Sequence, residues 1–330
     1  MIHLKIFFFV LYVTGQLLGS LVFATSFESD YVVSNYPEGV YVPGLIFDKP
    51  FDKAGFRILY HHRNISTDSL SIVIALQNLS LKEERIFVRA GLGGSTSDVV
   101  FAGHKAAQTF LAQYANPNGF KAITLSPLSS TYVLSHLIKP DQTSSGIVQL
   151  YRENSYNLRV KMGIVDNRYP HLSSFSDIAS GINQYRVAHF QDILREEIVH
   201  FDSVDQIMSL EVGGKPYLVD LSLNYELTGN YGVLHQFNIK LSNSLSKPTQ
   251  FNFYLAPKKD NAVDRAVFLI NGKLTEVGVS FNKDNEVSMQ NFYSIFLKPK
   301  EKKEITFITL PQSGCYYPVD VIIRAMEGSL

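Results

Sequence analysis

The sequence predicts a mainly β protein made of two immunoglobulin-like β-sandwich domains, with one or two short helices inserted or at the boundary. Three observations lead there. Short runs of alternating apolar residues recur along most of the chain, separated by Pro, Ser, Asn or Asp. Only two stretches carry apolar residues at helical spacing. The 330 residues suggest two domains, at roughly 150 residues each.

The opening segment sets the expected compartment. Lys5 is followed by an apolar run from Ile6 to Val13, and the first acidic residue is Glu28. Val22-Phe23-Ala24 puts compact side chains where a signal peptidase reads them, so cleavage is expected between Ala24 and Thr25. Residues 1–24 are therefore read as a signal peptide. If uncleaved, the segment is just long enough to anchor the chain, the one way a membrane enters this reading. The rest of the chain is expected to be secreted or in the cell envelope, that is, extracytoplasmic. It is divided into a first sandwich over 25–165, a linker over 166–185 rich in Ser, Asn, Asp and Pro, and a second sandwich over 186–330.

In the first domain, Leu70, Ile72, Ile74 and Leu76 alternate as one face of a strand. A polar turn over 78–84 leads to a returning strand, Arg85–Ala90. Further strands are expected at Ala122–Leu125, Tyr132–Leu137, Gly146–Tyr151 and Tyr156–Val165. Between them Ala107, Phe110, Leu111 and Tyr114 define a helix over Phe101–Ala115, capped by Ser97 or Asp98 and stopped at Asn116-Pro-Asn-Gly. A second helix is expected over 187–201, because Val187, Phe190, Leu194, Ile198 and Phe201 fall three or four apart.

In the second domain, Phe237, Ile239 and Leu241 alternate, and Gln250–Leu255 returns. Arg265–Ile270 and Lys273–Val279 flank Asn271-Gly272, the strongest short hairpin signal, because both residues tolerate positive φ. Asn291–Leu297 and Glu304–Leu310 read as a strand pair, and Val319–Arg324 closes the series. The halves rhyme: Leu70–Leu79 is like Phe237–Leu245, and Leu125-Ser-Pro is like Leu297-Lys-Pro. Duplication and generic strand–turn grammar both produce this pattern.

Composition excludes some functions. Thirty basic residues balance thirty acidic ones without a basic block, so nucleic acid is not an expected partner. Cys315 is the only cysteine, which rules out an intramolecular disulfide, leaves stability to the core, and fits bacterial export. Cys315 itself is expected to be a packed residue, since no nearby base would activate it.

Candidate chemistry is sparse. His61 and His62 are adjacent in a strand, so they face opposite ways and cannot easily share a metal. Gly91-Leu-Gly-Gly-Ser-Thr-Ser lacks the end of a phosphate-binding loop and reads as a capping loop. No Gly-x-Ser-x-Gly elbow ranks one serine above another, so no catalytic residue, metal or cofactor is assigned. Asn64-Ile-Ser and Asn78-Leu-Ser match the glycosylation sequon, which matters only in a eukaryotic secretory route. Asn230 and Tyr231, on the Gly229–Gly232 turn, are the speculative ligand contacts, Tyr offering a flat apolar face with a polar edge.

Two segments carry a resemblance. Phe56-Arg-Ile-Leu-Tyr-His-His resembles a motif of uncharacterised exported cyanobacterial proteins, a family of unknown function. The segment from Gly229-Asn-Tyr-Gly-Val-Leu-His-Gln-Phe to Asn243 resembles both that family and exported proteins of other bacteria. The latter share a likeness at Arg265–Leu274 and Pro311–Val319, whereas Lys258-Lys-Asp-Asn-Ala-Val-Asp replaces an expected glycine-rich stretch. The resemblance implies exported β-sandwich architecture and no activity. The expectation is thus an exported, non-catalytic envelope or extracellular protein with a structural, adhesive or binding role. The alternative is a carbohydrate-binding module or a sugar-active secreted enzyme. The partner would be an extracytoplasmic protein or a glycan.

Overall fold

The computed structural model describes residues 28–40, 42–154, 157–166, 187–191, 193–222, 224–258, 265–278 and 289–327. The expected cleavage point at Ala24 and Thr25 lies outside them. So does the expected linker, apart from Asp166.

The chain is mainly β, with four sheets and one α-helix among the described residues. The first half contributes Ser29–Val40 (β1), Gly44–Pro50 (β2), Gly55–Asn64 (β3), Leu70–Asn78 (β4) and Glu84–Thr96 (β5). The helix Val99–Ala115 (α1) follows, then Lys121–Leu125 (β6), Ser130–Ile138 (β7), Thr143–Arg152 (β8) and Leu158–Asp166 (β9). Val187–Gln191 (β10) comes next. The second half contributes Leu194–Asp202 (β11), Ile207–Val212 (β12), Leu234–Ser242 (β13), Thr249–Pro257 (β14) and Arg265–Ile270 (β15). It ends with Lys273–Gly278 (β16), Gln290–Leu297 (β17), Lys302–Thr309 (β18) and Val319–Glu327 (β19).

Sheet order settles the question of duplication. The first half pairs a large sheet, β10-β1-β3-β8-β5-β6, with a small one, β2-β9-β4-β7. The second pairs β11-β13-β18-β15-β16 with β12-β19-β14-β17. Adding ten to each strand number of the first half, β10 aside, reproduces the second. The sense of pairing repeats as well: β1–β3 and β11–β13 are both parallel, and the other pairs are antiparallel. The chain is two copies of one nine-stranded sandwich.

The same correspondence corrects the expected register of the repeat. β13 matches β3, not β4, so Asn243 is the counterpart of Asn64. Both side chains are fully buried and bond alike. Asn64 Nδ2 donates to the carbonyls of Asp68 (2.8 Å) and Ile138 (3.0 Å), and Asn243 Nδ2 to those of Lys247 (2.8 Å), Leu297 and Lys298 (both 3.1 Å). Each fastens the turn after the seventh strand of its copy, Lys139-Pro140-Asp141 or Lys298-Pro299-Lys300. Asp141 and Lys300 there have φ of 56° and 63°. Asn78, also buried, makes a third such plug on Ser126-Pro127-Leu128.

These plugs also account for the sequons. Ser66 donates its N–H and hydroxyl to Asn64 Oδ1, and Ser80 does the same to Asn78. The Asn-x-Ser pattern is a turn lock whose amide is already bonded inside the fold.

Strands predicted by alternation fall as expected. Leu70, Ile72, Ile74 and Leu76 enter the first core, and Phe237, Ile239 and Leu241 the second. Asn271-Gly272 forms the β15–β16 turn, with φ of 47° and 80°. The expected pairing of Asn291–Leu297 with Glu304–Leu310 is wrong, because β17 and β18 lie in opposite sheets. The expected helix over 187–201 is also wrong. That stretch is β10, which pairs with β1, and β11, which pairs with β13. Phe190 and Phe201 are buried, but Ile198 is 67% exposed, so no single apolar stripe exists.

A third core joins the copies. Tyr31, Leu59 and Ile147 on the outer face of the first large sheet meet Phe110 and Leu111 of α1 and Val267, Leu269 and Ile308 of the second large sheet. α1 begins at Asp98, whose carboxylate accepts from Phe101 N–H at 2.8 Å. Gly91 and Gly93 let it lie close on β5, because a Cβ at Gly93 would stand 1.9 Å from the Ala102 carbonyl oxygen. Gly103 lets it touch the loop before β19, since a Cβ there would stand 1.7 Å from the Ser313 oxygen.

Candidate functional site

The site is built from the places where the two copies depart from their common plan. α1 interrupts β5–β6 in the first copy, where the second has a two-residue turn. The segment 213–233 separates β12 from β13, where only 51–54 separates β2 from β3. The segment 310–318 joins β18 to β19, and β10 has no counterpart. All four meet at one cavity of about 740 Å³ between the copies. Its walls are Val33 and Leu59 of the first large sheet, Val187 and Ala188 of β10, Val99 of α1, and Leu227. Tyr225, Tyr231 and Tyr316 supply aromatic surface, and Ser313–Tyr316 supplies a loop edge. This volume falls within the range of small-molecule sites.

Arg57, fully buried, fixes the two copies around this space. Its Nε donates to Gln149 Oε1 (2.6 Å), and its Nη1 donates across the junction to the carbonyls of Ile193 (3.1 Å) and Gly232 (2.9 Å). The guanidinium also lies over the Phe110 ring, 5.2 Å from its centroid. The Tyr31 hydroxyl donates to the Tyr231 carbonyl. Gly232, at φ 74°, leaves room for that tyrosine, because a Cβ there would stand 2.2 Å from its hydroxyl oxygen. The segments Phe56–His62 and Gly229–Asn243 thus meet at the junction.

His61 lines the cavity, on the same face of β3 as Arg57 and Leu59. It is 2% exposed, and neither ring nitrogen has a hydrogen-bond partner. Burial pushes its pKa down to about 4, so the imidazole is neutral at pH 7. His62 faces the other way, and its Nε2 lies 2.9 Å from the Ser34 hydroxyl. Asp, Glu, Lys and Arg are absent among the described residues lining the cavity.

The two residues singled out on the Gly229–Gly232 turn have different surroundings. Asn230 is fully buried: its Nδ2 donates to the carbonyls of Gly214 (2.6 Å) and Pro216 (3.3 Å), and its Oδ1 accepts from Leu218 N–H (3.0 Å). Tyr231 lines the cavity, and its hydroxyl donates to the Cys315 carbonyl at 2.7 Å. Cys315 also lines it, buried, with its sulfur 3.2 Å from the Gln312 amide nitrogen. Sequence reasoning placed His61 but gave it no role. Its one available signal was a place beside Arg57 and His62 in Phe56–His62, a run buried on both faces despite its three polar residues.

A second hollow of about 390 Å³ lies on β11, β13 and β18, among His200, Asp202, Lys240 and Lys302. Burial raises the Asp202 carboxyl, but hydrogen bonds from Ser242, Ser244, Val204 N–H and Ser203 outweigh it and hold the pKa at about 2. The Asp202 carboxylate is thus already matched within the fold. No group of three or more His, Cys, Asp or Glu placed to hold a metal occurs among the described residues.

No family model matches the chain, and no curated protein does. Among solved structures it is similar to Lac15 from a marine microbial metagenome, with 8% identity over 91% of this chain and 63% of that one, at a TM-score of 0.18. It is similar to an anti-sigma factor domain-containing protein from Clostridium clariflavum, with 12% identity over 84% and 81% of the two chains and a TM-score of 0.18. The CBM22-1-CBM22-2 tandem of Paenibacillus barcinonensis Xyn10C gives 10% identity over 82% and 75%, at 0.15. Likenesses this weak carry no argument about activity.

Proposed function

We propose that this is an exported, non-catalytic binding protein that takes a small molecule between its two sandwich copies. The observation that carries the reading is His61, buried in the wall of a cavity with both ring nitrogens unbonded. Leaving a buried polar group unsatisfied costs about 1–3 kcal/mol, and such groups in native folds need a reason. A bound molecule supplies one. The convergence of four separate departures from the repeat on this cavity supports the same reading.

A binding role is favoured over a reaction because, among the described residues, the cavity lining pairs no nucleophile with a base. The Cys315 sulfur faces the Gln312 amide, and His61 bonds to nothing. A glycan ligand has Tyr225, Tyr231 and Tyr316 in its favour, but aliphatic side chains make up much of the wall. The reading includes kinship with exported bacterial proteins of unknown function, whose two resembling segments meet here at Arg57 and Gly232. The ligand would then be encountered outside the cytoplasm, free or carried by an extracytoplasmic partner.

A thermal-shift screen of mature protein against glycans, amphiphiles and small metabolites tests this. At least one compound should raise Tm in the native protein but not in Ala188→Trp, which fills the cavity from a half-buried wall position. Equal shifts in both proteins would place binding elsewhere and defeat the reading. Export is checked separately: N-terminal sequencing of the extracytoplasmic form should begin at Thr25, and a chain retaining Met1 would contradict it.

A further inference from the structure

Accepting that reading of the cavity, we infer that its ligand is an uncharged, mostly apolar molecule carrying a hydroxyl-type group that bonds to His61. Three features of the wall lead there. First, Val33, Leu59, Val99, Val187, Ala188 and Leu227 present hydrocarbon, which rewards burial of an apolar body by roughly 25 cal/mol per Å². Second, the described lining has no Asp, Glu, Lys or Arg. A buried carboxylate, phosphate or ammonium would find no opposite charge, and an unpaired buried charge is strongly disfavoured. Third, a neutral imidazole has one donor and one acceptor nitrogen. A hydroxyl can answer either, whereas a carboxylate answers only the donor.

The same features argue against a sugar in the interior. A saccharide brings a hydroxyl on nearly every carbon, and each needs a partner once buried. Tyr231 already donates its hydroxyl to the Cys315 carbonyl, and Asn35, Thr228, Ser313 and the hydroxyls of Tyr225 and Tyr316 are too few to answer every hydroxyl of an enclosed oligosaccharide. The Tyr231 ring therefore acts here as apolar surface for a hydrocarbon or aromatic body.

Cys315, the one thiol of the chain, sits on the wall loop with its sulfur buried against Gln312 and the Arg265 carbonyl, so it is alkylated only when that wall opens, and a ligand seated on the wall should slow the reaction. The mature protein is alkylated with N-ethylmaleimide alone, and with farnesol, farnesoate at pH 8, or maltotetraose. Farnesol is expected to slow Cys315 alkylation at least five-fold, with an affinity at least ten-fold above that of farnesoate. Maltotetraose should leave the rate unchanged. His61→Phe, which keeps a flat ring without nitrogens, should weaken farnesol about ten-fold. His61→Gln, which keeps a donor and an acceptor, should restore most of it. Both variants are checked for native circular dichroism and Tm.

Protection by farnesoate or maltotetraose equal to that by farnesol would overturn the inference and leave the site standing. Loss of protection in neither histidine variant would also overturn it. If none of the three protects Cys315, the inference fails. The site reading fails with it only if the stabilising compounds of the wider screen are equally without effect on that thiol.

Discussion

β3 and β13 occupy the same place in their two copies, and the difference between them shows how the repeat acquired a site. On the core-facing side they are alike: Phe56, Ile58 and Tyr60 in one, Phe237 and Ile239 in the other, all buried. On the outer side they diverge. The first copy places Arg57, Leu59 and His61 there, all buried, and the second places Gln236, Asn238 and Lys240, half-buried or exposed. The cause is what covers each sheet. α1 and the long segments of the second copy lie over the outer face of the first large sheet, so the polar residues of β3 there must find partners inside the protein. Arg57 finds them across the junction, and His61 faces the cavity instead.

That contrast can be broken in several ways, beginning with pH. His61 and His235 are both 2% exposed, and burial lowers their pKa values to about 4 and about 3, with Arg195 adding to the effect at His235. An unfolded histidine takes its proton near 6.5. Between pH 6.5 and about 4 the unfolded chain therefore binds more protons, and stability falls as pH falls. The loss should be roughly 3 kcal/mol for each histidine by pH 4. Urea midpoints measured from pH 8 to pH 4 should show it. His61→Phe should remove its share of the slope, and a slope unchanged by that substitution would contradict the assignment.

The junction comes next. Arg57→Ala leaves the carbonyls of Ile193 and Gly232 without their donor and should cost at least about 3 kcal/mol. Gln236→Ala, at the matching place in the second copy, should cost less than about 1 kcal/mol. Equal losses in denaturant titrations would mean that the two outer faces are not used differently.

The plugs sharpen the likeness. Asn64→Ala and Asn243→Ala each remove a buried amide with several bonds, and each should cost about 2–4 kcal/mol. The two values should agree within about 1 kcal/mol. A wide gap would show that the shared geometry is not shared energetics.

The smallest effect belongs to the turn that replaces α1 in the second copy. Gly272 has φ 80° with open space around its Cβ position, so Gly272→Ala should cost only about 1 kcal/mol of backbone strain.

Much of the fold was legible because most strands bury one face, and period-2 alternation records that directly. Strand β3 was not, because it is buried on both faces and so does not alternate. The 187–201 stretch misled because strand residues on opposite faces of two short strands happened to fall three or four apart. The rhyme between halves was visible in Asn and Pro, but its register was not. Asn78 repeats the plug chemistry of Asn64 within one copy, so local sequence could not say which of the two matched Asn243. Of the site, Tyr231 could be picked out as an aromatic residue on a glycine turn. Asn230 beside it belongs to the hydrogen bonding of segment 213–233. His61 gained its meaning from a cavity that is completed by segments more than a hundred residues away.

The most direct test of the central claim is the ¹⁵N spectrum of the histidine side chains, with and without a compound that stabilises the protein. The His61 ring nitrogens should shift on binding, while those of His62, on the opposite face of the same strand, stay in place. A stabilising ligand that leaves the His61 nitrogens unmoved would contradict a site built around that side chain.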